Sequence, residues 1–221
     1  MPRSITRVAP IRRILTAAEP EVMVQLVRLI VLYEDLKLEV AGLHVPHDKE
    51  FNEVSQKYRT MYFVRRAFAT LNEMHTAIHK LQMLKEFKAR KRVLERRRLK
   101  TWTAAVMFFS KANRFIDSQR NSYGGHVTDD LARFVLSRVE QTDDTAGSLD
   151  VLISDDRTCR YVFKFAETIM SQALFVDRGE RDPAEFLHES FEILMDAVKH
   201  AAHASQILAD IYIMPVFGWI R

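Results

Sequence analysis

The chain is 221 residues long and carries a formal net charge of +4; 48% of it is apolar and 28% charged. That length buries a sizeable core in one large domain or two small ones, and the composition excludes wholesale disorder. Six glycines and six prolines are too few for the turns of an all-β chain, so the expected class is all-α.

Cys159 is the only cysteine, which rules out an internal disulfide and makes the cytoplasm the expected compartment. Arg7, Arg12 and Arg13 break up the apolar residues near the start, so no secretory leader is expected. Gln25 and Arg28 interrupt the best apolar run, Val22 to Tyr33, which excludes insertion into a membrane.

In chain order, Glu19-Pro20-Glu21 opens the first helix, with proline in the first turn and acids that favour the dipole. Val22, Leu26, Leu29, Ile30, Tyr33, Leu36 and Val40 recur at helical spacing, and Gly42 closes the segment. From His47 to Tyr123 run 77 residues without glycine or proline. As one helix they would reach roughly 115 Å, too long for a compact domain. They therefore divide into two or more helices, one over about 50–84 and another over about 95–121, with a basic stretch near the junction. Gly124-Gly125 ends the second.

Thr128-Asp129-Asp130 starts a further helix through Leu131, Phe134, Val135 and Val139. A polar linker follows over Gln141 to Gly147, then a short strand or extended segment over Leu149 to Ile153. Helix is expected again from about Arg157 to Phe175, and from Pro183 to about Ile213. The apolar tail MPVFGWIR should cover part of the bundle or a partner. No internal repeat is visible.

Charge is unevenly spread. Lys85 to Lys100 holds nine basic residues and two acidic ones, a local +7, which leaves −3 for the rest of the chain. Lys88, Arg90, Lys91, Arg92, Arg96, Arg97 and Arg98 are candidates to track an RNA backbone, or else form a solvated helix face. Trp102 and Tyr123 could stack on bases or serve as buried aromatic anchors.

Arg120 and His126 flank Asn121-Ser122-Tyr123-Gly124-Gly125. The segment sets a permanent cation and a side chain that titrates near neutrality on either side of a helix stop. Arg181 and His188 have a similar spacing, but they straddle Pro183 at a helix start.

Arg120, Asn121 and His126 resemble the signature of the HEPN superfamily, helical bundles that include ribonucleases of toxin–antitoxin and phage-defence systems. The likeness is sharp over about 115–135, general over about 20–140, and ends by 145. The resemblance implies a HEPN-like multi-helix bundle over about 20–140; with the helices expected after it, the chain reads as a single helical domain over 1–221 with a carboxy-terminal helical extension over about 141–221. It further implies metal-independent RNA cleavage. His126 would act as general base or general acid, Arg120 would hold the scissile phosphate, and Asn121 would orient it. A homodimer follows from the same resemblance, with a cognate antitoxin or other protein as further partner. The alternative is a non-catalytic helical module that binds RNA or a protein.

Two histidine pairs, His75 with His79 and His200 with His203, have the spacing of chelating residues, the second with Asp196 a turn earlier. No HExxH accompanies them, and Glu185-x-x-His188 occurs alone where a di-iron bundle needs two such motifs. Neither a metal site nor any other cofactor is expected. Cys159 stands beside Arg157 and Arg160 but near no general base, and reads as a packing or surface thiol.

Overall fold

The computed structural model describes residues 13, 16–44, 53–123, 151–153, 161–163 and 183–217, with side chains for 13, 16–44, 59–113 and 188–217. Most of this is α-helix: α1 (Pro20–Leu43), α2 (Glu53–Met83), α3 (Lys85–Arg92), α4 (Arg96–Tyr123) and α5 (Pro183–Leu208). A π-helical turn, Ala209–Ile213, and a 3-10 turn, Met214–Phe217, prolong α5. The protein is a helical bundle of the all-α class, as composition requires. None of the described helices is long and apolar enough to cross a membrane.

One expectation fails. Helix was expected through 157–175, but Tyr161–Phe163 forms a strand, β2, antiparallel to β1 (Val151–Ile153). The register pairs Val151 with Phe163, Leu152 with Val162 and Ile153 with Tyr161. Aromatic and β-branched side chains stand at all but one of these positions, and they favour a pleated surface over a helix. The expected helix from Thr128, the linker at 141–147 and Cys159 lie outside the described residues.

The long stretch without glycine or proline breaks twice, within the expected division into two or more helices. At Leu84 the backbone turns extended, with φ −72° and ψ 134°. Its amide donates to Leu81 O at 3.1 Å, while its carbonyl already accepts from Lys88 N at 3.0 Å. At Val93 and Leu94 the amides reach back only three residues, to Arg90 O and Lys91 O. The basic stretch thus forms a helix of its own, α3.

The chain divides into two compact units, each drawn from separated segments. One comprises 1–34, 73–111 and 196–221; the other comprises 35–72 and 112–195.

In the first unit, Leu26, Leu29, Leu81, Phe87, Trp102, Phe109 and Tyr212 are almost wholly buried. Phe87 lies against Trp102 with ring centroids 5.0 Å apart, an arrangement that contributes about 0.5–1.5 kcal/mol beyond area burial. Trp102 is therefore an anchor and cannot offer its face to a base. Ala197, Ala201 and Ala204 form a small buried face on α5 that permits close approach of backbone.

Two residues of α3 tie this unit together. Glu86 Oε2 accepts from Glu19 N at 2.7 Å, capping α1 from a distant position in the sequence. Arg90 Nε pairs with Glu86 Oε1 at 2.8 Å. The same guanidinium donates to Ala17 O at 3.1 Å and Ile211 O at 3.4 Å, and its carbon lies 4.7 Å from the Tyr212 ring centre. Burial, seconded by Glu86 and countered by Arg90, pushes the Tyr212 hydroxyl up to about 12. Arg28 and Glu73 add an ion pair between α1 and α2.

In the second unit, Leu36, Val40, Val64, Ala67, Phe68, Leu71 and Leu194 are buried apolar residues. Among them sits a buried carboxylate, Glu39, which accepts from Thr70 Oγ1 at 3.0 Å and lies 3.6 Å from Arg66 Nε. Burial raises the Glu39 pKa above its ordinary value, against the lowering effects of Thr70 and Arg66. Gly42 gives room to the Phe63 ring, since a Cβ there would stand 2.6–2.8 Å from three of its atoms.

Candidate nucleic-acid interface

Nine cations between Lys85 and Lys100 are sorted by the fold into inward and outward groups. α3 is amphipathic around one anchor: Phe87 is fully buried, and this turns Arg90 toward the protein while Lys88 and Arg92 face solvent. Arg90 is the staple described above, with its donors committed inside the unit. Arg98 is also turned inward, paired with Asp210 at 3.2 Å.

The others are available to a ligand. Lys85, Lys88, Arg92, Arg96, Arg97 and Lys100 are exposed and Lys91 is half-buried. No ion pair engages any of these seven among the described residues. Arg96 and Lys100 stand one turn apart on the solvent face of α4, which continues through exposed Thr103, Ala104, Met107 and Lys111. That face is a ridge of cations separated by small or flexible side chains.

The first turn of α4 contains Arg96, Arg97 and Arg98 and no acid. Positive side chains there oppose the helix dipole, at a cost on the order of 0.3–1 kcal/mol each at low ionic strength. The first intrahelical bond runs from Leu99 N to Glu95 O at 2.9 Å, so the preceding amides have no carbonyl one turn back. Both features favour an anion at this end of the helix.

Beside it lies a cleft of about 330 Å³. Glu95, just before α4, and Arg97, Arg98 and Thr101 of α4 line one wall; His203, Gln206, Ile207 and Asp210 line the other. Thr101 Oγ1 donates to Arg97 O at 3.1 Å. The π turn carries Asp210, and such turns often occur at functional sites. The sequence reading singles out neither Gln206 nor Asp210. Their spacing from His203 was the available signal, because the three share one helical face.

Arg120 and Asn121 of the signature, and the stacking candidate Tyr123, belong to the last turn of α4, but their side chains and all of His126 lie outside the described residues. α4 thus carries the triple arginine in its first turn and the Arg-Asn pair in its last. His75 and His79 have ring centroids 6.4 Å apart, as do His200 and His203. No group of three or more His, Cys, Asp or Glu side chains is arranged around a metal position among the described residues. His200 is stacked on Phe108 at 4.5 Å. Burial lowers its pKa, with Asp196 acting in the opposite sense.

No protein-family model, no characterised protein and no solved structure matches this chain.

Proposed function

We propose that the protein binds single-stranded RNA on the outer faces of α3 and α4 and cleaves it without a metal ion. The observation that carries the binding half is the group of exposed cations, Lys88, Arg92, Arg96, Arg97 and Lys100, none of them in an ion pair among the described residues. Solvated helix faces ordinarily alternate signs, whereas here five exposed cations over two consecutive helices have Glu95 as the exposed acid among them. A phosphodiester backbone supplies the missing anions and releases counterions on binding.

The cleavage half rests on the Arg120-Asn121 and His126 resemblance. In the reaction, the ribose 2′-oxygen attacks phosphorus while the bond to the 5′-oxygen breaks. The 2′-hydroxyl proton passes to a base and a proton is delivered to the leaving oxygen. His126 serves one of these transfers, Arg120 offsets charge on the phosphoryl oxygens, and Asn121 orients them. The products are a 2′,3′-cyclic phosphate and a free 5′-hydroxyl. The same resemblance suggests a homodimer with paired motifs, a protein antitoxin and a defence or stress setting. The cation surface alone would serve a non-catalytic RNA-binding module equally well, because it does not involve His126.

Incubating a mixed RNA pool in excess EDTA with wild-type and His126→Ala proteins separates these readings. Chelator-resistant cleavage lost in the variant supports the nuclease. Binding without cleavage in both leaves the RNA-binding module, and the absence of both activities refutes the proposal.

A further inference from the structure

We infer that the cleft between the start of α4 and the end of α5 takes one unstacked nucleotide of the RNA, and prefers a base with an exocyclic amino group, adenine above all. This rests on the RNA-binding reading and adds to it a site that reads sequence. At about 330 Å³ the cleft is at the lower end of ligand sites, which span roughly 300–1,000 Å³.

Its lining selects the ligand's chemistry. Arg97 and Arg98 stand with Glu95 and Asp210, so the four charges cancel and a bare polyanion gains little inside. A ligand carrying both an anionic phosphate and N–H donors uses both signs. Arg97, exposed and without an ion-pair partner among the described residues, is the phosphate donor. The Arg98–Asp210 pair, 3.2 Å apart, holds the far wall in a fixed geometry.

Base discrimination falls to the α5 wall. The Gln206 amide can both accept from and donate to the N6/N7 edge of adenine, and the carboxylates of Glu95 and Asp210 accept further N–H groups. Uracil presents a carbonyl where adenine presents its amino group, and so faces those carboxylates acceptor to acceptor. Ile207 supplies an almost fully buried apolar floor. His203 supplies an imidazole edge or face, braced by His200, which itself lies on Phe108. Stacking on imidazole with hydrogen bonds to the base edge is how proteins read unstacked RNA bases.

The probes are fluorescent U12 and the same oligomer with one central adenine, measured by anisotropy in EDTA with His126→Ala protein so that the RNA survives. One adenine should tighten binding about fivefold to tenfold, a single bidentate contact, and further adenines should add little. Gln206→Ala, at an exposed position, should bring the two affinities within about twofold while leaving the salt dependence of binding unchanged. Gln206→Glu, which keeps the shape but loses the donor, should do the same, with circular dichroism verifying the fold of each variant.

Equal binding of the two oligomers by the parent protein would overturn the nucleotide site and leave RNA binding standing. An adenine preference that survives both Gln206 changes and His203→Ala would also remove it from this cleft. Failure to bind either oligomer would overturn both inferences.

Discussion

Neutralising Arg96 and Lys100 together should flatten the salt dependence of RNA binding by a calculable amount. Of the exposed cations without ion pairs among the described residues, five flank the junction of α3 and α4: Lys88, Arg92, Arg96, Arg97 and Lys100. If each neutralises one phosphate of a single strand, log K falls with log salt at a slope of about −3.5. Raising salt from about 50 to about 200 mM then weakens binding on the order of 100-fold. Arg96→Gln with Lys100→Gln leaves three contacts, a slope of about −2.1 and a loss of about 20-fold over the same range. The assay is anisotropy of a labelled oligonucleotide across a potassium chloride series, with His126→Ala protein throughout. Arg90→Gln provides the contrast. Its guanidinium is bound to Ala17, Ile211 and Glu86, so it should lower the melting temperature while leaving the slope near −3.5. A parent slope shallower than about −1, or a slope indifferent to the Arg96 and Lys100 changes, would refute the assignment of this surface to RNA.

Three further predictions concern the fold. Gly42→Ala should destabilise by about 1 kcal/mol: helix propensity favours alanine by about 0.5–1, but crowding the Phe63 ring costs about 1–3. Adding Phe63→Leu should recover most of that loss in chemical denaturation. The raised Glu39 pKa means the folded state holds its proton more tightly than the unfolded state, so this group's stabilising contribution is complete below the unfolded pKa and disappears as pH rises through the folded one. Glu39→Gln should remove that decline from a stability-versus-pH series, and a series identical to wild type would contradict it. Trp102→Ala, which empties the buried contact with Phe87, should cost about 3–5 kcal/mol by the same denaturation measurement.

Much of the helical framework was legible from local chemistry. Glu19-Pro20-Glu21 marked the start of α1, and Gly42 stands one residue before its end at Leu43. Pro183 opens α5 where expected, and the helical path through Ile213 was also expected, although its last five residues wind as a π turn. These signals work because a proline ring, a missing Cβ or a dipole-matching acid acts on its own few backbone torsions. Weak punctuation gave weaker readings. Tyr161–Phe163 reads locally as helix, yet it forms a strand through pairing with Val151–Ile153. For the catalytic signature, sequence supplied the resemblance of Arg120, Asn121 and His126, and their side chains lie outside the described residues.

By itself the sequence determined the helical class, the ends of α1 and the start of α5, and the concentration of positive charge between Lys85 and Lys100. Only tertiary structure decided how that charge is used. The chain breaks at Leu84 and Val93 without glycine or proline, and Phe87 finds its partner in Trp102. Once Phe87 is buried, the helical period turns Arg90 inward and leaves Lys88 and Arg92 in solvent. Arg90 then reaches acceptors 73 and 121 residues away in the chain. Adjacent arginines look alike in a sequence because the partners that separate them come from distant segments.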